Sequence, residues 1–108
     1  MSAVNQLLNA MAWVALRVWA PLEAKRRIDT VGSWLGSLDV ERARRAAHTL
    51  RGGTCLSRAI TIAARVPGAE VVIGARGKGP TFHAHAWVEV QGAAIGSVEP
   101  DVELARFR

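Results

Sequence analysis

Tyrosine is missing from these 108 residues, phenylalanine occurs twice, and the four tryptophans are scattered along the chain. With so few aromatics and none interleaved among the basic side chains, the platform on which single-stranded nucleic acid stacks is lacking. The charge balance itself, fourteen Lys and Arg against nine Asp and Glu, is a net +5 and permits an acidic partner. Its basic residues are spread from Arg17 to Arg108 rather than gathered into one patch, so ordinary solvated faces and an acidic peptide explain them better than nucleic acid does. Cysteine occurs once, which excludes an internal disulfide and a secretory framework and makes the cytoplasm the expected home. A run long enough to cross a bilayer is lacking too, because Asn5, Gln6, Asn9 and Arg17 interrupt the apolar N-terminal stretch. That stretch also has no basic start or small-residue cleavage site of a signal peptide.

What is present is the composition of a globular chain, half hydrophobic and 21% charged. The length suits a single domain over 1–108, with a helical part over 1–50 and a second part over 51–108. Val4, Leu7, Leu8, Met11, Val14, Ala15 and Val18 recur at three- and four-residue steps, the stripe of an amphipathic helix. The plain expectation is that this stripe packs in the core; the sharper one is that a partner protein docks on it. Pro21 ends that helix or opens the next, where Ala24, Ile28, Val31 and Leu35 form a shorter stripe interrupted near Gly32 and Gly36.

Asp39 is placed to cap a third helix with Val40, Ala43, Ala46, Ala47 and Leu50 inward, and Gly52-Gly53 stop it. Thr54 then caps a fourth helix from Cys55 to about Arg65, with Leu56, Ala59, Ile60 and Ala63 buried, before Pro67 and Gly68 end it. Beyond it the period falls to two. Glu70 to Ala75 reads as a strand, Arg76 to Pro80 as a turn, and Thr81 to Val90 as an alternating strand. Gln91-Gly92 reads as a hairpin turn into a last strand, Ala93 to Val98. The expected fold is therefore α+β, with N-terminal helices and a Cys-bearing helix packed on a small antiparallel meander.

Two features bear on chemistry. Cys55 falls in the first turn of a helix, where unpaired backbone N–H groups and the helix dipole favour a thiolate. An exposed helix N-terminus supplies only about 0.3–1 kcal/mol, less than one tenfold step in ionisation, so a nucleophilic thiol still needs a base. The strand of alternating residues supplies imidazoles: His83, His85, Trp87 and Glu89 share one face, and Ala84, Ala86, Val88 and Val90 the other. A histidine within reach of the thiol can take its proton, and the Cys55 backbone N–H can face the oxyanion of a tetrahedral intermediate. A metal bound by His83, His85 and Cys55 is the competing reading. The lone Cys and the absence of Cys-x-x-Cys and His-x-x-x-His spacings speak against it, and no cofactor is expected.

The stretches Cys55-Leu56-Ser57-Arg58-Ala59 and His85-Ala86-Trp87-Val88-Glu89-Val90, with the closing Pro100-Asp101-Val102 and Arg106-Phe107, resemble the B2 leader peptidases of lasso-peptide biosynthesis. The resemblance covers roughly residues 40 to 107. It implies a transglutaminase-like, papain-like cysteine protease that removes the leader from a ribosomally made precursor peptide. It further implies a small B1-type leader-recognition protein and an ATP-dependent lasso cyclase as partners. Cys55 would be the nucleophile and His85 the base. The family places an acid on the strand after the hairpin at a position that is Ser97 here, and Glu99 and Asp101 are the nearest carboxylates. A three-residue turn, Gln91 to Ala93, would set residue 99 opposite His85 and favour Glu99, with Asp101 the alternate. The rival functions are a transglutaminase-like acyltransferase using the same dyad and a basic binding module in which Cys55 only packs.

Overall fold

The computed structural model describes residues 3–76, 83–95 and 102–108. Four helices come first: α1 (Ala3–Val18), α2 (Pro21–Leu35), α3 (Val40–Thr49) and α4 (Cys55–Arg65). They are followed by four strands, β1 (Ala69–Arg76), β2 (His83–Val90), β3 (Ala93–Ile95) and β4 (Val102–Phe107). All pairings are antiparallel and the sheet order is β3-β2-β1-β4. The α+β class and the meander of β1 to β3 are as expected from the change of period. The meander gains a fourth member: the tail returns to the free edge of β1 as a strand, which its short, locally unremarkable sequence did not announce.

Helix α4 is the centre of the molecule. Ser57, Ala59, Ile60, Thr61, Ile62 and Ala63 are all buried, more of its circumference than the expected stripe. One side meets α1 and α2, another meets β1 and β2, and α3 flanks it. Ala69, Val71, Ala86, Val88 and Ile95 supply the sheet's share of the core. Gly32 does not interrupt α2. A Cβ there would stand 2.5 Å from Ala64 O and 2.8 Å from Ala64 Cβ, so its bare backbone lets α2 and α4 meet. Gly36, at φ 87°, is what ends the helix.

Helix α1 buries only Leu8 and Ala15 of the expected stripe and turns the rest of it outward. Asn5, Leu8, Asn9, Ala12 and Ala15 are buried. Val4, Leu7, Met11, Val14 and Val18 point outward, Leu7 at 63% exposure and Val18 at 66%. The periodicity is real, but the buried amides decide which way it faces, because Asn5 and Asn9 find partners on α4 and on the loop before it that water would otherwise supply. At the tail, Phe107 packs against the core, whereas Leu104 is 58% exposed. The β1–β4 register shifts between Ile73 and Gly74, so Leu104 drops out of the pairing.

Candidate active site

The one thiol sits at the first residue of α4, and the chain before it is built to hold that start in place. Thr54 Oγ1 accepts from Ser57 N–H at 3.0 Å and Ser57 Oγ accepts from Thr54 N–H at 2.9 Å, a complete capping box. Ser57 Oγ also donates to Asn9 Oδ1 at 2.9 Å. Asn9, 2% exposed, donates in turn to the carbonyls of Arg51 and Gly52. Gln6 closes on Arg51 from both sides, accepting from its N–H at 2.7 Å and donating to its carbonyl at 3.2 Å. Arg58 Nη1 donates to Gly52 O at 2.8 Å. The loop 51–53 is thus tied to α1 and to α4 together. Asn9, Gln6 and Ser57 are the supporting residues that hydropathy missed, since amides in an apolar stretch read as interruptions; the Thr-x-x-Ser spacing before the helix was the available signal.

Ser57 N–H goes to Thr54 Oγ1 and Arg58 N–H to Thr54 O, which leaves the Cys55 and Leu56 N–H groups at the helix mouth without an acceptor among the described residues. Those donors can receive a developing oxyanion.

His85 comes from β2. Its backbone is opposite Gly74 of β1, which has no side chain to set directly against the ring. On the other flank β3 pairs only with Val88 to Val90. The cleft at this point, of about 230 Å³, is lined by Cys55, His85, His48, Arg58, Ala59 and Trp87 among others. Cys55 is partly buried there. The His85 ring stacks on Trp87, with centroids 6.3 Å apart and planes 21° from parallel. No hydrogen bond joins it to the thiol among the described residues. His48, in the last turn of α3, is a second imidazole on the cleft wall that the sequence did not single out. A larger cavity, about 610 Å³, opens beside Arg65 at the far end of α4, roughly 15 Å of helix away from the thiol. It holds neither Cys55 nor His85.

Behind His85 the outer face of the sheet carries a charged chain. Trp87 Nε1 donates to Glu89 Oε2 at 2.8 Å, and Glu89 is 2.9 Å from Arg106, which also reaches Glu70 at 3.3 Å and Glu103 at 2.8 Å. The hydrogen bond from Arg106 holds the Glu103 carboxyl below the ordinary carboxylate range. The same bond, with a second that Arg106 donates to Glu89, raises the affinity of Arg106 for its proton. Glu70 and Glu89 are direct partners in the ladder, so Arg106 offsets a like-charge pair.

Of the other residues singled out by sequence, Glu99, Asp101 and Ser97, and the side chain of His83, lie outside the described residues. The turn between β2 and β3 has two residues, Gln91 and Gly92, and Val90 pairs with Ala93. The three-residue turn that favoured Glu99 is therefore not formed, and that ground for preferring it to Asp101 falls away. Among the described residues no three His, Cys, Asp or Glu side chains gather as a metal site. Nor is any described helix long and apolar enough to cross a membrane.

No curated protein and no solved structure matches the chain. A family model does, over residues 4–108, taking in α1 and α2 as well as the motif-bearing half. A match that spans nearly the whole chain shows that this protein, with its one thiol at the start of a buried helix, belongs to the transglutaminase-like superfamily.

Proposed function

We propose that the chain is a cysteine peptidase that removes the leader from a ribosomally made lasso-peptide precursor. The observation that carries the reading is the shared cleft of Cys55 and His85 in a chain of this superfamily. His85 takes the thiol proton as Cys55 Sγ attacks the scissile carbonyl, and the oxyanion faces the helix mouth. The imidazolium then protonates the leaving amine, and water resolves the thioester, returning thiol and carboxylate. Glu99 or Asp101 orients the far nitrogen of His85 in this scheme. The Cys-Leu-Ser-Arg and His-Ala-Trp-Val-Glu stretches support the leader-peptidase reading over other members of the superfamily.

The reading includes a separate leader-recognition protein, a lasso cyclase as neighbour and a cytoplasmic setting. Its support for a partner is the outward seam of α1, where Val4, Leu7, Met11, Val14 and Val18 alternate at steps of three and four while exposed. Incubating the protein with its precursor and the recognition protein, then weighing the products, tests the proposal. Leader and core fragments are expected, and both should vanish with Cys55→Ala. An adduct to a supplied amine would make the protein an acyltransferase, and intact precursor would refute the peptidase.

A further inference from the structure

On the other side of His48 from the thiol lies a second depression, about 580 Å³, lined by Leu38, Arg42, Arg45, His48 and Thr49. Its surface is almost wholly carbon. Two arginines can line such a surface only with their methylene stems, which leaves the guanidinium heads at its rim. Arg42, Arg45 and Thr49 fall at steps of three and four on one face of α3. Arg44, off that face, is occupied by Glu41 at 2.8 Å. Arg45 has no acidic partner among the described residues. Among the described residues the only carboxylate near Arg42 is Asp39 at 3.9 Å, with both side chains more than two-thirds exposed. The trough therefore presents an apolar floor under positive charge that the protein leaves largely unneutralised. His48 lines both depressions, so the trough and the cleft that holds Cys55 and His85 are neighbours that share its side chain as a wall.

We infer that this trough is the substrate subsite next to the scissile bond, and that it takes a peptide with a large apolar side chain flanked by an acidic residue. The inference rests on the peptidase reading of the cleft. An extended peptide advances about 3.3 Å per residue with side chains on alternate sides, so a chain whose carbonyl lies on the thiol passes over His48 within a few residues. There it can seat an apolar group against Leu38 while a neighbouring carboxylate meets Arg42 or Arg45.

The test uses the Cys55→Ala protein, which cannot turn over the probe, and fluorescein-labelled peptides that carry Leu-Glu, Leu-Lys or Ser-Glu in an otherwise Ala-Gly sequence. Leu-Glu is expected to bind about tenfold more tightly than either of the others. Arg42→Glu with Arg45→Glu should reverse the preference between Leu-Glu and Leu-Lys, and Arg45→Gln alone should weaken it. Both arginine positions are on the surface, so folding is checked simply by circular dichroism. Equal binding of the three peptides, or discrimination that survives the double charge reversal, would overturn the inference. Wild-type cleavage of the same peptides separates the two claims: binding with this selectivity but no cleavage refutes the peptidase, while cleavage without selectivity refutes the subsite.

Discussion

Gly52 and Gly53 precede the nucleophile with φ of 75° and 68°, and an alanine at each carries a different penalty. A left-handed backbone costs a non-glycine residue about 1–2 kcal/mol. At Gly52 that is all, since nothing lies within 4 Å of an added Cβ. At Gly53 the Cβ would stand 2.4 Å from Ser57 Oγ and 3.2 Å from Asn9 Oδ1. Ser57 must then swing away, giving up one arm of the capping box and its bond to Asn9, at about 1 kcal/mol each. Gly52→Ala should thus cost about 1–2 kcal/mol and Gly53→Ala about 3–4. Urea unfolding followed by tryptophan fluorescence reads both. In a Ser57→Ala background the excess of Gly53→Ala over Gly52→Ala should disappear, a coupling of about 2 kcal/mol. Equal midpoints for the two glycine variants would refute the claim that the loop is held by the capping box.

Three further outcomes are expected. Arg106→Ala should lower the urea midpoint near neutral pH. The carboxyl of Glu103 sits below its ordinary range, so the stability it confers is present above the unfolded-state value and is lost as pH falls through the lower folded value. The gap between variant and wild type should therefore narrow in acid, and a gap constant with pH would contradict the assignment. Leu7→Glu with Val14→Glu, both on the exposed seam, should leave the unfolding midpoint within about 1 kcal/mol of wild type while lowering partner-dependent cleavage several-fold. Unchanged cleavage would remove α1 as the docking face. Glu99→Gln should slow single-turnover cleavage much more than Asp101→Asn if Glu99 orients His85; the opposite order moves the role to Asp101.

Helix starts were the most legible features, because each is written in local chemistry. Asp39 accepts from Arg42 N–H at 2.8 Å, and Thr54 caps the helix that opens on Cys55, as their spacing indicated. The alternation of β2 likewise placed Ala86 and Val88 in the core and His85 beside Trp87. Periodicity locates a stripe without saying what it meets, and α1 turned its amides inward because loop carbonyls before Cys55 needed donors. Neither the pairing of β4 with β1 nor the nearness of His48 to the thiol leaves a local trace, since both arise from contacts distant along the chain.

The central claim is that His85 activates Cys55, and the presence of a single cysteine makes it directly measurable. Iodoacetamide alkylation of the native protein, followed by mass from about pH 5 to about pH 9, reports that thiol alone. The account predicts that at about pH 6 Cys55 reacts faster than free glutathione, and that His85→Ala abolishes this advantage while His48→Ala retains it. A profile that is the same in wild type and His85→Ala would contradict it.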